Sequence, residues 1–269
     1  LACRGRDLKS ARIEHDAVLS WTSGDLSVDK SGIVALSDPS VSAVQLANSE
    51  TGVVQVLPQG IAVCDMTQAF GKLAIAFNWS GADMALISAH KLGGPKGIGA
   101  LVLKRGIDVP AQIKGGGQEM GRRSGTENII GIAGFGAAAE EAQRDLETGV
   151  WNKAEKLRNI LETAIADRAK HTIFVGKDNV RLPNTSCILT PGWKGETQVM
   201  QMDLAGFAIS AGSACSSGKV KASGVLMAMG FSGLDAASAI RVSLGPETTE
   251  QEVLAFADAW LMQHDKFRA

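Results

Sequence analysis

The sequence lacks several features that would place it in other classes of protein. Its 27 basic and 28 acidic residues nearly cancel, so no excess positive charge marks a surface for nucleic acid or for an anionic membrane. Its apolar runs are short and interrupted, so none is expected to span a bilayer. No basic segment followed by an apolar segment opens the chain, so secretion is not expected. These absences predict a cytoplasmic globular protein without a nucleic-acid or membrane partner.

The four cysteines also lack the patterns of common cysteine sites. No two of them have the Cys-x-x-Cys spacing of a zinc or redox site, so neither a metal site nor a disulfide framework is expected. Cys187 lies within an apolar run and is predicted to be a buried core thiol. Cys215 lies among small residues after a predicted strand, where a thiol can be exposed as a nucleophile or redox group. Since no histidine or basic residue adjoins it in sequence, a lowered thiol pKa does not follow.

Short apolar strands, each ending in a polar side chain, recur through the first half of the chain. With 45% hydrophobic and 20% charged residues, the chain can bury a sizeable core. The alternation of strands with helical or looping connections predicts an α/β fold with a mainly parallel sheet, whose ligands bind beyond the carboxyl ends of the strands. The candidate site residues at these ends are Asn48, Asp65, Gln68, Ser88, His90 and Lys91.

Lys91 is the candidate with the most specific chemistry. It follows the predicted strand 84–87, and Ser88 and His90 lie beside it. Burial and neighbouring charges can lower the pKa of a lysine enough for its amine to attack a carbonyl group. A surface lysine in a strand-to-loop turn has the same local sequence, so both interpretations stay open on this segment alone.

The second half of the chain has a different order of elements. Two long amphipathic helices are predicted over 127–147 and 151–170, and shorter strands and helices are mixed after residue 172. We therefore expect a large domain over residues 1–130 and, over 131–269, a linking helix with a smaller α+β domain that carries Cys215.

A set of motifs spread over nearly the whole chain resembles the cysteine desulfurases of the NifS and IscS type. These enzymes are pyridoxal-phosphate-dependent members of the class V aminotransferase group. Each motif alone is weak, but their shared order and spacing is specific. The matching segments are Glu14–His15, Asn48–Gly52, Asp65 with Gln68, Ser88 with His90 and Lys91, Gly115–Glu119, Arg123–Thr126, Leu182–Asn184, Gly212–Cys215 and Arg241–Gly245.

The resemblance implies a fold and a cofactor site. The fold would be that of the type I pyridoxal-phosphate-dependent transferases. Lys91 would hold pyridoxal 5′-phosphate covalently and later move the substrate α-proton. Asp65 would pair with the pyridinium nitrogen, Gln68 would hydrogen-bond the ring oxygen, and His15 would stack on the ring.

The resemblance also implies the phosphate, substrate and partner contacts. Ser88 and His90 would bind the phosphate, together with Thr126 of the other subunit of a homodimer. Arg241 would bind the substrate carboxylate with its planar guanidinium, and Asn48 is a further candidate for cofactor or substrate binding. Cys215 would attack the sulfur of bound L-cysteine and become a persulfide, releasing alanine. The sulfur would then pass to an iron–sulfur scaffold or another acceptor protein.

Two departures from the family leave other interpretations open. Family members are longer at the N-terminus, where they carry a glycine-rich phosphate loop, and the link from Gln55 to Asp65 lacks their crossover helix. Ser49 also stands where the family usually has a second asparagine. A truncated, non-catalytic relative that acts in dimerisation or scaffold binding is one alternative. Another class V aminotransferase or a selenocysteine lyase is the other, since it would keep Lys91 without needing this Cys215 segment.

Overall fold

A computed structural model describes residues 7–212 and 222–269, and these residues divide into two units. The first unit runs to Leu26 and includes Leu36–Leu46 and Gln55–Thr148. The second comprises Ser27–Ala35, Ala47–Val54 and the described chain from Gly149 onwards. Two short early segments thus belong to the unit formed mainly by the C-terminal half. The domain boundary near residue 130 stays a prediction.

The first unit is built on a four-stranded, mainly parallel sheet. The order of the strands in this sheet is β1-β2-β3-β4. Strands β1, β2 and β3 run parallel to one another, and β4 is antiparallel to β3. Gln45 at the end of β1 pairs in register with Asp65 at the end of β2. The strands are β1 (Ala43–Gln45), β2 (Val63–Asp65), β3 (Met84–Ser88) and β4 (Gly99–Leu103).

Apolar side chains from the strands and from the segments around them form the core of the first unit. Two helices belong to this unit: α1 (Asp16–Leu19) and the long α2 (Ile129–Glu147). His15 caps the N-terminus of α1, because its Nδ1 accepts a hydrogen bond from the Ala17 amide. The buried core residues are Leu8, Val18, Ala43, Ala62, Val63, Met84 and Val109.

The second unit combines helices with an antiparallel sheet in the order β5-β6-β8-β7. Side chains of the sheet and of α3, α4 and α7 share one hydrophobic core that includes Leu161, Ile240 and Trp260. The strands are β5 (Ile173–Phe174), β6 (Thr185–Leu189), β7 (Ser210–Ala211) and β8 (Ala239–Ser243). The helices are α3 (Val150–Arg168), α4 (Gly195–Leu204), α5 (Gly224–Ala228), α6 (Gly233–Ala236) and α7 (Glu250–Arg268).

The predicted fold class is confirmed, with a mainly parallel α/β sheet in one unit and a smaller antiparallel sheet with helices in the other. The described residues between Gln55 and Asp65 contain no helix. The four-residue helix α6 was not predicted, because so short an element leaves no periodic pattern. No helix in the described ranges is long and apolar enough to cross a membrane.

Candidate active site and family

Polar side chains of the first unit collect where the parallel strands end, as the sequence predicted. Asp65 closes β2 and Ser88 closes β3, and the register pairs Asp65 with Leu86. Because these strands are parallel, their carboxyl ends meet at one edge of the sheet. The Asp65 Oδ1 accepts a hydrogen bond of 2.9 Å from the Thr67 amide, and within the described ranges no other hydrogen bond reaches this carboxylate. One carboxylate oxygen is therefore available to a ligand.

Ser88, His90 and Lys91 lie on one short turn beyond β3. The Ser88 Oγ and the His90 Nδ1 are hydrogen-bonded at 2.8 Å, so the structure brings these two predicted phosphate ligands together. Lys91 ends the 3₁₀ turn Ala89–Lys91, and its side chain is exposed. The chain then folds back on this turn. The Gly94 amide donates to the Ala89 carbonyl at 2.9 Å, and a Cβ at Gly94 would lie only 3.0 Å from that oxygen.

Lys72 is a neighbour of this turn that sequence reasoning missed. Its Nζ donates to the carbonyl oxygen of Gln68 at 2.9 Å and to that of Lys91 at 3.3 Å. It therefore ties together the backbones of two predicted cofactor-binding residues. Burial, and then the positive charge of Lys91, lower the pKa of Lys72 to about 8. A lowered lysine pKa thus occurs at Lys72, a residue that the sequence did not single out. The signal was a lysine four residues after Gln68, which is too common to single out.

Glu14 is a second group whose environment the sequence did not reveal. Its side chain is buried, and its Oε1 accepts a hydrogen bond of 3.0 Å from the Gln45 amide at the end of β1. Its Oε2 has no hydrogen-bond partner within the described part of the chain. Burial raises the pKa of the Glu14 carboxyl well above its usual value. The Gln45 hydrogen bond opposes this, and the negative charge of Asp65 adds to it. Burial therefore favours the neutral form of the Glu14 carboxyl group.

The remaining predicted residues of the first unit have less defined surroundings. His15 is exposed and accepts the Ala17 amide, Gln68 is half-buried, and Thr126 is exposed. Thr126 ends a glycine-rich loop that Ser124 closes, since the Ser124 Oγ both accepts from the Gly116 amide and donates to the Gly116 carbonyl, each at 2.9 Å. The loop therefore has a defined shape of its own.

In the second unit, three of the motifs that carried the family resemblance meet. The Leu182 amide donates to the Gly52 carbonyl at 2.7 Å, which joins the segments 182–184 and 48–52. The Asn184 carbonyl accepts from the Leu244 amide at 2.9 Å, which joins the segments 182–184 and 241–245. Gly52 has a φ of +75°, and a Cβ there would lie 3.1 Å from the Thr185 Cβ. Close packing and backbone geometry both require glycine at this position.

Asn48 shapes the turn that it begins. Its side chain is buried, and its Oδ1 accepts from the amides of Glu50 and Thr51, each at 2.9 Å. The Gly52 amide donates to the Asn48 carbonyl at 3.0 Å and closes the turn. Asn48 thus has a structural task that the sequence did not indicate, while its binding role stays a prediction.

Arg241 lies on β8 and contacts this turn. Its Nη1 donates to the Ser49 carbonyl at 3.0 Å, and its Nη2 donates to the Ser210 Oγ at 3.3 Å. Its Nε is buried and has no hydrogen-bond partner among the described residues. An arginine carries five N–H donors, so this guanidinium keeps capacity for a bidentate carboxylate ligand.

Glu50, which the sequence did not single out, is a buried carboxyl group beside the same arginine. Its Oε2 accepts a hydrogen bond from the Ser223 Oγ. Burial raises the pKa of Glu50 to about 7, against the lowering effects of that hydrogen bond and of the Arg241 cation. A Cβ on Gly212 would lie 3.5 Å from the Glu50 Oε2. Gly212 directly precedes residues 213–221, and Ser223 is the second residue after them.

Two of the cysteines that the sequence offers are described in the structure, Cys64 and Cys187, whereas Cys215 lies outside the described residues. Cys64 and Cys187 are buried free thiols, and burial raises the pKa of both well above the usual value. The prediction of a buried core thiol at Cys187 is confirmed. Among the described side chains, no group of three or more His, Cys, Asp or Glu residues could hold a metal ion.

Comparison with known proteins identifies the family. The model of the class-V aminotransferases matches residues 17–256. A cysteine desulfurase from Cereibacter sphaeroides is 37% identical over 92% of this chain and 70% of its own length. The cysteine desulfurase NifS from Azotobacter vinelandii is 36% identical over 90% of this chain and 66% of its own. The X-ray structure of a NifS-like protein from Rickettsia africae ESF-5 superposes with a TM-score of 0.81 at 29% identity, covering 97% of this chain and 76% of that one.

The relatives are longer than this chain. It spans between 53% and 70% of the first curated relatives that it matches. The match nevertheless extends over most of the present sequence and both units. The chain therefore belongs to the cysteine desulfurases, in the pyridoxal-phosphate-dependent class-V aminotransferase family.

Proposed function

We propose that this chain belongs to an enzyme that uses pyridoxal 5′-phosphate to convert L-cysteine to L-alanine, with the sulfur passing to Cys215 as a persulfide. One observation carries the proposal: Asp65, the Ser88–His90 pair and Lys91 follow neighbouring parallel strands at one sheet edge. A carboxylate, two hydrogen-bonding side chains and an amine at one edge suit a cationic ring nitrogen, a phosphate and a carbonyl carbon, respectively.

The side chains of the first unit fit the family's cofactor. Asp65 retains a carboxylate oxygen for the pyridinium nitrogen, and the hydrogen-bonded Ser88 and His90 can turn their remaining polar atoms towards a phosphate. Lys91 and Lys72 add positive charge near a dianion. In this proposal Gln68 hydrogen-bonds the ring oxygen and His15 stacks on the ring. When bound, the cofactor supplies an electron sink for negative charge that develops on the substrate's carbon atoms.

The protein side chains bind the substrate and move its protons. Lys91 Nζ holds the cofactor and later transfers the proton at the substrate α-carbon. Arg241 binds the α-carboxylate, which the unpartnered Nε and the remaining Nη hydrogens support, and Asn48 is a further candidate contact.

Cys215 performs the sulfur transfer. Its thiolate attacks the cysteine sulfur, so an S–S bond forms while the bond between that sulfur and the β-carbon breaks. The electron pair of the broken bond stays with the carbon and is protonated, which gives alanine and leaves a persulfide on Cys215. A sulfur-acceptor protein, of the kind that scaffolds iron–sulfur cluster assembly, then takes the terminal sulfur. We further propose a cytoplasmic homodimer in which Thr126 of each subunit completes the phosphate site of the other.

The test is sulfide release from L-cysteine by the purified protein with added pyridoxal phosphate and a thiol reductant. We expect release by the wild type, and an absorption band near the visible edge that borohydride removes. Cys215→Ala should lose the release and keep the band, while the matched variant of a buried thiol, Cys187→Ala, should keep both. Absence of the band would contradict the cofactor assignment. Full release by Cys215→Ala would contradict the nucleophile assignment.

A further inference from the structure

The turn Asn48–Gly52 holds two charged groups of the second unit in fixed positions. Asn48 Oδ1 receives the amides of Glu50 and Thr51, so the turn has one conformation. In that conformation the Ser49 carbonyl accepts from Arg241 Nη1. The next side chain along, Glu50, is directed to the hydroxyl of Ser223. The position of the guanidinium and that of the carboxyl group are therefore set by adjacent residues.

Glu50 is a buried acid without an ion-pair partner within 4.0 Å among the described residues. The hydroxyl of Ser223, the N-cap of α5, is the only side-chain donor to it in the described ranges. The cation that acts on it is Arg241 on β8. Cys187 on β6 faces both groups and is held neutral, because burial raises its pKa. Arg181 and Glu162, which are paired with each other, also act on Cys187.

The carboxyl group of Glu50 changes its charge near pH 7, and this change takes place beside the guanidinium of Arg241. A guanidinium next to a neutral acid offers its whole positive charge to an incoming carboxylate. Next to an ionised acid, part of the positive charge of the same guanidinium is already neutralised before a ligand binds. The charge of the Glu50 carboxyl group therefore changes the electrostatic attraction between Arg241 and its ligand, although Glu50 itself need not touch the ligand.

We propose that Glu50 is a positioning residue for Arg241, and that the charge of its carboxyl group sets how tightly Arg241 binds the carboxylate of an amino-acid substrate. The inference rests on the proposed function, in which Arg241 is the carboxylate-binding residue. The consequence is a substrate affinity that falls as the pH rises through about 7, the pKa of Glu50. A tenfold weaker binding to the ionised form corresponds to a one-unit rise of the Glu50 pKa on binding. For two carboxylates that share one guanidinium in a partly buried site, we expect a roughly threefold to tenfold effect.

The first experiment needs neither cofactor nor activity. Carbon-13 NMR of glutamate-labelled protein follows the carboxyl resonance of Glu50, assigned by its loss in Glu50→Gln. We expect a midpoint near 7 in the wild type, a higher midpoint in Arg241→Gln, where the cation is gone, and a higher midpoint in Ser223→Ala, where the hydrogen bond is gone. An unchanged midpoint in Arg241→Gln would overturn the inference.

The second experiment measures binding of L-alanine to the protein loaded with pyridoxal phosphate, at pH 6 and pH 8. L-Alanine is the probe because its own groups do not titrate in this range. We expect its dissociation constant to rise roughly threefold to tenfold more between these pH values in the wild type than in Glu50→Gln. Glu196→Gln, a change at an exposed glutamate of the same unit, should behave like the wild type.

The outcomes separate this inference from the proposed function. Equal pH dependence in the wild type and Glu50→Gln overturns the inference alone, because amino-acid binding itself is then intact. Wild-type protein that takes up the cofactor but binds L-alanine at neither pH contradicts the proposed function and removes the inference with it. A shift of the pH dependence to higher pH in Ser223→Ala, matching its NMR midpoint, supports the inference through a variant that keeps Glu50.

Discussion

Replacing Glu50 by glutamine should change how the stability of the second unit depends on pH. Glutamine keeps the side-chain volume and an acceptor for Ser223 but cannot ionise. In the wild type, burial raises the pKa of Glu50 from 4.5 to about 7. Between these values the folded state binds more protons than the unfolded state, so the free energy of unfolding falls as the pH rises. The stabilising contribution is fully present below pH 4.5 and is lost as the pH passes through about 7.

The size of this effect follows from the same pKa. A rise from 4.5 to about 7 corresponds to about 3 kcal/mol, since each pKa unit is worth about 1.4 kcal/mol. Relative to Glu50→Gln, the wild type should therefore lose about 3 kcal/mol of unfolding free energy between pH 4 and pH 8.5. The comparison with the variant cancels the contributions of all other titrating groups, including Glu14.

Urea unfolding at a series of pH values measures this difference. The fluorescence of Trp193 and Trp260 reports on unfolding of the second unit, which contains Glu50, because both indoles are buried in the core of that unit. Glu196→Gln is the control for removal of one exposed carboxylate. A difference between wild type and Glu50→Gln that stays constant over the whole pH range would refute the assignment of a buried, titrating carboxyl group at this position.

Three further predictions concern other buried charged groups. Arg181→Met should cost about 3–5 kcal/mol in urea unfolding, because it leaves the Glu162 carboxylate, only 12% exposed, without its cationic partner; the Arg181→Met/Glu162→Met double variant should cost less than the sum of the single ones. Lys72→Met should weaken pyridoxal-phosphate binding in a spectrophotometric titration more than Lys72→Arg does, since arginine can still donate to the two carbonyl oxygens. Glu14→Gln should leave unfolding at pH 7 within about 1 kcal/mol of wild type, whereas Glu14→Ala should cost about 1–3 kcal/mol because the Gln45 amide loses its acceptor.

Each of these predictions has a result that would contradict it. Additive costs in the Arg181 and Glu162 cycle would mean that the bidentate pair is not coupled. Equal cofactor affinity in Lys72→Met and wild type would mean that the tie between the two backbone carbonyls is not needed. A cost of Glu14→Gln as large as that of Glu14→Ala would mean that the acceptor for the Gln45 amide does not account for the loss.

The sheet edge of the first unit was predictable because its signal is local. Asp65 and Ser88 end apolar strands and Lys91 lies on the turn after the second, and parallel strands bring their ends together whatever the rest of the fold does. The shared order of the motifs along the chain then indicated the protein family. Neither step required knowledge of which distant segments pack together.

Burial of individual polar groups could not be predicted in the same way. Glu14, Glu50 and Lys72 look like ordinary charged residues in sequence, and their changed pKa values arise from tertiary contacts. The membership of Ser27–Ala35 and Ala47–Val54 in the second unit also depends on tertiary contacts, because the local sequence of a short segment does not indicate which core it packs against. The geometry of Cys215 lies outside the described residues.

The central claim, that Lys91 is the covalent anchor of pyridoxal phosphate, can be tested by locating the attachment site. The protein is incubated with pyridoxal phosphate, reduced with borohydride and digested, and the modified peptide is identified by mass spectrometry. We expect one label per chain, attached to Lys91, and we expect this label to be lost in Lys91→Ala. Labelling of Lys72, whose pKa is about 8, in place of Lys91 would contradict the account, as would labelling unaffected by Lys91→Ala.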